Sequence, residues 1–211
     1  MKTAMIDKEL GSWNQDSSQA KRQVALHNEV IRLQRMLQEQ AAVIKDLQRR
    51  ATEDGLTGLL NRRGFDSALE QTFSDFKRYG RRASLLVLDM DNFKSINDTL
   101  GHLAGDALLQ HIAELLKHHT RDSDIIARPG GDEFCIILQE NTAEDARRKA
   151  RELEVIISAT PCLYEGEQIS TSVSIGACCF LEANEKADII AKADARMYRR
   201  KASNRSLRVM V

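Results

Sequence analysis

Two glycines followed at once by two carboxylates and an aromatic residue form the most restrictive segment of this 211-residue chain, Gly130-Gly131-Asp132-Glu133-Phe134. Apolar runs flank the segment at 125–127 and 134–138, so the pattern predicts a β-hairpin whose turn carries both acids. Glycine permits backbone angles closed to other residues and lets an anion approach the main chain. The turn therefore suits a site where carboxylates hold a cation beside a phosphate. The alternative is a solvated acidic hairpin tip.

A second group of acids follows an apolar run typical of a buried strand, residues 84–90. Asp89 and Asp91 stand at its C-terminal end. Carboxylates at the ends of neighbouring strands are typical ligands of Mg²⁺ when phosphates complete its coordination. Asp89 with Asp132, and with Glu133 as a further ligand, therefore forms a candidate site for two metal ions. The alternative is that the acids after the strand only cap the next helix.

The chain resembles a known family once a third motif is added, Asp54-Gly55-Leu56-Thr57-Gly58-Leu59-Leu60-Asn61-Arg62-Arg63. Together these motifs are similar to those of the GGDEF family, the diguanylate cyclases that join two GTP molecules into cyclic di-GMP. The resemblance extends from Asp54 to Arg205, roughly three quarters of the chain. It implies an α/β fold like the nucleotidyl cyclases and the polymerase palm, with a central mixed or antiparallel sheet flanked by helices.

The resemblance also assigns a substrate site. Asn97 and Asp106 fall where the family reads guanine, and an amide with a carboxylate matches the hydrogen-bonding edge of that base. Without the resemblance, both residues would be interpreted as helix or turn caps. The residues that would bind the phosphates are Lys94, Gly130, Gly131, Lys201 and Arg205. The residues that would be catalytic and would bind two Mg²⁺ or Mn²⁺ ions per half-site are Asp89, Asp132 and Glu133.

The sequence departs from the family pattern near its C-terminal end. The last helix is expected at about 189–202, and Asn204 stands after it where the family has glycine. Ser206 stands where the family has asparagine. Asparagine tolerates the left-handed backbone conformation better than most residues, so we expect a turn at Asn204 to survive.

An inhibitory site is implied by Arg121-Asp122-Ser123-Asp124, which matches the family's Arg-x-x-Asp motif at its usual distance from the glycine pair. Arg121 would hold a phosphate or a guanine edge of the product, and Asp124 would accept from guanine nitrogens. Product bound at Arg121 would bridge to basic residues on the partner domain, for which Arg148 and Arg151 are alternative candidates. The resemblance therefore implies that cyclic di-GMP binds at this motif and inhibits the enzyme.

Apolar residues upstream of the family match recur at alternating steps of four and three, which predicts a coiled coil. The a positions are Val30, Leu37, Ile44 and Ala51, and the d positions are Leu26, Leu33, Gln40 and Leu47. This pattern favours a parallel dimer through 26–51, with Gln40 fixing the register at a cost in stability. The alternative is a single amphipathic helix packed on its own domain. We expect a flexible arm at 1–20, a dimerising helix at 21–52 and a catalytic domain at 53–211.

Composition argues against several other functions. The 31 basic and 31 acidic residues balance, so nothing favours a nucleic-acid partner. The four cysteines lack zinc-binding spacing, and buried free thiols are the expected state. No apolar run reaches membrane-spanning length and no signal peptide is visible, so a cytoplasmic location without a membrane segment is expected.

The expected function is therefore the condensation of two GTP into cyclic di-GMP and two pyrophosphates across a homodimer. Two alternatives stay open. A degenerate domain could bind GTP or cyclic di-GMP and signal through contacts, although the acids at 89, 132 and 133 are intact. A cyclase acting on a single nucleotide could make a cyclic monophosphate, although Asp106 and the complete turn signature disfavour it.

Overall fold

The computed structural model describes residue 27 and residues 29–209, with side chains as far as Asn204. The predicted arm at 1–20 and Leu26, the first d position, lie outside these residues. The boundary between the two units of the chain falls between Arg49 and Arg50. Within the described residues, no helix is both long enough and apolar enough to cross a membrane.

The first helix, α1, covers residues 29–52 and confirms that a helix precedes the family match; the predicted start at 21 lies outside the described residues. Its seam residues are exposed in the isolated chain: Leu37 is 65% exposed and Leu47 is 60% exposed. Ion pairs three residues apart, such as Glu29 with Arg32, lie on its polar surface and contribute little to stability because solvent screens them. The pairing of two such helices stays a prediction.

The second unit alternates helices and strands, which confirms the α/β class. Its elements in chain order are α2 (Arg62–Tyr79), β1 (Ala83–Met90), α3 (Phe93–Leu100), α4 (His102–His118), β2 (Ile125–Gly130), β3 (Glu133–Gln139), α5 (Ala143–Ala159), β4 (Cys162–Tyr164), β5 (Glu167–Ile169), β6 (Val173–Cys179), a short 3-10 helix (Phe180–Glu182) and α6 (Lys186–Val209). Asn61 caps α2 by accepting from the Gly64 amide over 3.0 Å, and its own amide group donates to the carbonyls of Ala51 and Glu53.

Four strands form the central sheet in the order β2-β3-β1-β6, and every pairing among them is antiparallel. Of the two sheet types that the sequence allows, the structure therefore has the antiparallel one. A parallel pairing does occur among the described residues, as an isolated bridge between Leu60 and Ala127. Strands β4 and β5 form a separate ribbon that the sequence reasoning did not anticipate.

Strand β1 is buried on both faces because helices cover both sides of the sheet. Leu86 and Leu88 belong to the core that includes α4 and α5, whereas Leu85 and Val87 belong to the core that includes α2 and α6. Side chains alternate along a strand, so Asp89 follows Val87 onto the α2 and α6 face. The buried free thiols, as expected, are Cys135, Cys162, Cys178 and Cys179.

The outer edge of β2 is occupied by the loop before α2. The Leu60 amide donates to the carbonyl of Ile126 over 3.3 Å, and the Arg128 amide donates to the carbonyl of Leu60 over 2.7 Å. These bonds satisfy backbone groups that an edge strand otherwise leaves free.

Charged side chains occupy the outer edge of β6. Glu154 accepts from the Ile175 amide over 3.2 Å, and Arg196 donates to the carbonyl of Ala177 over 2.6 Å. The first side chain comes from α5 and the second from α6, so the two helices that flank β6 both reach its edge.

Helix α6 corrects one expectation. It runs to Val209, so Asn204 lies inside the helix and no turn interrupts it there. Asparagine has a better helix propensity than glycine, which lets the helix continue. The side chain of Ser206 lies outside the described part of the chain. At the other end, α6 packs so closely on β6 that a Cβ on Gly176 would lie 2.0 Å from the carbonyl oxygen of Ala193.

Candidate active site

The acidic turn joins β2 to β3 through Gly131 and Asp132, as the hairpin prediction requires. Gly131 has a φ of 56°, in the left-handed region that favours glycine. The Met90 amide donates to the carbonyl of Asp132 over 3.2 Å, which ties the turn to the end of β1. Pro129 lies where the β2–β3 register shifts, a place where its missing N–H is tolerated.

The pairing of β1 with β3 brings the predicted acids together. Asp89 lies directly opposite Glu133, so their carboxylates share one face of the sheet. Burial raises the pKa of Asp89 above its ordinary value; Lys201 opposes this effect and Asp132 adds to it. The pKa of Glu133 is also raised, by burial first and then by repulsion from Asp89. The strand ends therefore concentrate negative charge.

Asp89 forms an ion pair with Lys201 of α6. The two side chains are 15% and 18% exposed, so solvent screens the pair only in part. A predicted metal ligand and a predicted phosphate ligand thus meet although 112 residues separate them. The Lys201 ammonium group occupies a position beside the Asp89 carboxylate that a metal ion could also occupy.

The donor set suits a hard divalent cation because all three acids offer oxygen. Among the described residues, no three His, Cys, Asp or Glu side chains already converge closely enough to hold an ion. A cation would nonetheless relieve the repulsion that helps raise the pKa of Asp89 and of Glu133. The chemistry of these groups therefore fits a divalent metal ion, which Asp89 would hold in place of its ion pair with Lys201.

Asn97 and Asp106 lie on the consecutive helices α3 and α4. The Oδ1 atom of Asn97 is buried without a hydrogen-bond partner, whereas Asp106 is exposed. A Cβ on Gly105 would lie 1.9 Å from that Oδ1, so glycine at this position gives the amide its room. An unpaired buried amide oxygen is costly, and an N–H donor such as the edge of guanine would satisfy it.

The remaining predicted phosphate ligands are less constrained. Lys94 is exposed on the first turn of α3, and Gly130 ends β2 beside the acidic turn. The side chain of Arg205 lies outside the described part of the chain.

Arg128 holds the acidic turn, and sequence reasoning missed it. Its Nε and Nη2 donate to the carbonyl of Gly131 over 3.0 and 2.8 Å. Its Nη1 donates to both carboxylate oxygens of Asp54 over 2.9 and 3.1 Å. Burial raises the pKa of Asp54, but hydrogen bonds from Thr57 and Arg128 outweigh this effect, so the pKa is lowered. The signal in the sequence was an arginine two residues before the glycine pair and an acid that opens the upstream motif.

Arg128→Ala should lower the free energy of unfolding by about 2 kcal/mol at neutral pH, because it removes charge-assisted hydrogen bonds at a side chain that is only 12% exposed. Urea unfolding followed by circular dichroism measures the loss. The pKa of Asp54 is lowered in the folded state, so the pair stabilises the protein above the ordinary carboxyl pKa, and the difference should shrink as pH falls through the acid range.

The matched control is Arg148→Ala, which removes an exposed ion pair to Asp145 and should change the free energy of unfolding far less than Arg128→Ala does. Equal losses for the two variants would show that the bonds of Arg128 do not hold the turn.

The predicted inhibitory motif lies at the start of β2. Asp124 accepts from the amides of Arg121 and Gln139, each over 3.0 Å, so its carboxylate is fixed. A cavity of about 250 Å³ is lined by Arg121, Asp124 and Arg148. Arg151 lines a different groove beside β6. Within one domain, Arg148 therefore lies beside the motif and Arg151 does not, while the contact to a partner domain stays a prediction.

Residues 51–207 match the family model described as diguanylate cyclase, GGDEF domain. The chain belongs to the GGDEF family. It is 40% identical over 163 residues to the diguanylate cyclase DgcP of Pseudomonas aeruginosa, an alignment that covers 77% of this chain and 24% of that protein. It is 37% identical over 186 residues to the diguanylate cyclase TpbB of the same species, covering 87% and 42%. The chain thus spans less than half the length of these curated relatives.

Solved GGDEF structures share the architecture. The coiled coil and GGDEF domain of DgcB from Caulobacter crescentus, in complex with c-di-GMP, superposes with a TM-score of 0.76 at 27% sequence identity. The match covers 86% of this chain and 95% of that one. The family resemblance and the fold class are confirmed.

Proposed function

We propose that this GGDEF protein is a diguanylate cyclase that condenses two GTP molecules into cyclic di-GMP and two pyrophosphates. The observation that carries the proposal is the intact acidic set, with Asp89 opposite Glu133 and Asp132 in the adjoining turn. Membership of the GGDEF family and similarity to two named diguanylate cyclases support it. A degenerate binding module has no need for all three acids.

Each domain would bind one GTP. The guanine would lie against Asn97 and Asp106, and the Oδ1 of Asn97, which is buried without a partner, would accept a hydrogen bond from the base. The phosphates would be bound by the cationic side chains and by the main chain of the glycine pair. These ligands are Lys94, Gly130, Gly131, Lys201 and Arg205.

Asp89, Asp132 and Glu133 would hold two Mg²⁺ or Mn²⁺ ions per half-site. When bound, such ions polarise the α-phosphate and ease deprotonation of the attacking hydroxyl. Lys201 would then exchange its carboxylate partner for a phosphate oxygen, so its positive charge stays in the site.

One domain would supply only half of the reaction. With two domains face to face, each ribose 3′-hydroxyl attacks the α-phosphate of the other GTP, a P–O bond forms, and pyrophosphate leaves. A parallel homodimer through 26–51 would bring the halves together, and the exposed seam of α1 supports this pairing. The similar DgcB structure also contains a coiled coil.

The direct test is incubation of the purified protein with GTP or ATP and Mg²⁺, followed by chromatographic identification of the products. Cyclic di-GMP from GTP, with two pyrophosphates per product, is the expected result. Bound GTP without product would instead identify a binding module, and a cyclic monophosphate would identify a single-nucleotide cyclase.

The product would also regulate the enzyme. Cyclic di-GMP would bind the cavity lined by Arg121, Asp124 and Arg148, where two guanidinium groups can hold its phosphates and guanine edges. Because this cavity lies at the start of β2 and the acidic turn lies at its end, the ligand would restrain the domain without entering the GTP site.

Arg121→Ala should weaken inhibition by cyclic di-GMP about tenfold or more, because a hydrogen bond to a charged group contributes about 1.5–3 kcal/mol. Progress curves with a pyrophosphate readout measure this effect: the wild type should slow early, added product should reproduce the slowing, and the variant should lack it. Arg151→Ala, outside the cavity, is the matched control and should keep the inhibition. Equal inhibition of wild type and Arg121→Ala would place the inhibitor in the GTP site.

A further inference from the structure

Asp91 lies buried beside the active-site acids with both carboxylate oxygens hydrogen-bonded. Ser172 Oγ and Ser174 Oγ donate to them over 2.5 and 2.9 Å. The Asp91 amide donates in turn to the carbonyl of Ser172 over 2.8 Å. Asp91 is 7% exposed and Ser174 is fully buried, so little solvent competes for these bonds. The end of β1 is therefore fixed to β6.

Asn204 extends this network to α6. Its Nδ2 donates to Ser174 Oγ over 3.2 Å. The hydroxyl of Ser174 has a single hydrogen, which goes to Asp91, so its oxygen is left to accept from the amide. A relay of hydrogen bonds thus runs from Asp91, directly after β1, through Ser174 on β6 to Asn204 on α6.

Two separate contacts therefore tie helix α6 to the end of β1. Asp89 is the next-to-last residue of β1 and Asp91 directly follows the strand, while Lys201 and Asn204 are three residues apart on one side of α6. The first tie is the ion pair between Asp89 and Lys201. The second tie is the relay through Ser174.

We propose that Asn204 is a positioning residue that keeps α6 on the sheet while the enzyme holds GTP. The inference rests on the proposed function, in which metal binding at Asp89 and phosphate binding at Lys201 break the first tie. The second tie uses none of the groups assigned to the substrate, so it persists. The glycine that the family pattern has at this position carries no side chain to form the tie, which makes it a property of this chain.

Loss of the relay should affect GTP binding more than the chemical step. Without the relay, the C-terminal part of α6 would be held less firmly, so Lys201 would contact the phosphates less often. The acids near the α-phosphate would keep their positions. Asn204→Ala should therefore raise KM for GTP about three- to tenfold and leave kcat within about twofold, as expected for one neutral hydrogen bond.

Steady-state kinetics on matched variants test the relay. Asn204→Asp keeps the size of the side chain but removes the N–H donor, so it should raise KM at least as much as Asn204→Ala does. Ser174→Ala combined with Asn204→Ala should raise KM no further than the stronger single change, because both break the same relay. Ser203→Ala, whose exposed hydroxyl bonds within the helix to the carbonyl of Arg199, should behave as wild type.

Hydrogen exchange without nucleotide or metal tests the same tie independently of catalysis. Lys201→Ala removes the first tie, so in that background Asn204→Ala should accelerate exchange of the last amides of α6 about tenfold, whereas in the wild-type background the acceleration should be smaller. Additive exchange effects together with an unchanged KM would overturn the proposal. A wild type that makes no cyclic di-GMP but shows the coupled exchange would refute the proposed function and leave the tie standing.

Discussion

Asp132→Ala should lower the rate of cyclic di-GMP formation about a thousandfold, because the loss of one metal-binding carboxylate removes several kcal/mol of transition-state stabilisation. Folding should be nearly unchanged. The hydrogen bond that fixes the turn uses the backbone carbonyl of Asp132, which accepts from the Met90 amide and which alanine retains. Product chromatography at saturating GTP measures the rate, and urea unfolding should differ from wild type by less than about 0.5 kcal/mol.

The matched control for this change is Asp66→Ala, which removes an exposed acid on α2. It should keep a rate close to that of the wild type. A wild-type rate for Asp132→Ala would overturn the assignment of the acidic turn to catalysis, and with it the proposed reaction.

Deletion of residues 1–49 should lower turnover per protein about a hundredfold at low concentration and make the remaining rate rise with protein concentration. Joining two domains through paired helices raises the effective concentration of each beside the other, and such linkage typically changes an apparent affinity by about 10² to 10⁴. Without α1, the encounter of two domains becomes bimolecular and limits the rate. Initial rates over a wide range of protein concentration measure the change.

Point variants of α1 separate dimerisation from loss of sequence. Leu37→Glu places a charge at an a position of the predicted seam and should reproduce the concentration dependence of the deletion. Arg35→Glu, on the opposite side of the helix, is the control and should not. Full-length protein that sediments as a monomer at micromolar concentration and stays active would contradict the dimer.

The parts of the site set by local pattern could be predicted from the sequence. The apolar run at 84–90 and its alternation place Asp89 at a strand end, and the glycine pair predicts the turn that carries Asp132. The bonds that hold these pieces join distant residues. Asp54 and Arg128 are 74 residues apart, and their meeting depends on the packing of the whole sheet, which no local pattern encodes.

One expectation from the sequence was wrong, at Asn204, and one choice was left open, between Arg148 and Arg151. Both outcomes have local causes. A left-handed turn was expected at Asn204 because the family has glycine there, but a side chain able to bond Ser174 lets α6 continue. The choice between Arg148 and Arg151 could not be made because residues three apart on a helix point in similar directions. In the structure, Arg148 lines the inhibitory cavity and Arg151 lines the groove beside β6.

The occupied edges of the sheet would matter for a domain that works against a copy of itself, as in the proposed reaction. An open strand edge offers N–H and C=O groups to any other strand, and a neighbour held near millimolar effective concentration, roughly, makes such pairing frequent. The backbone of Leu60 covers β2, and Glu154 with Arg196 covers β6. In the proposed reaction, two such domains would meet and separate many times without their sheets merging into one continuous and irreversible aggregate.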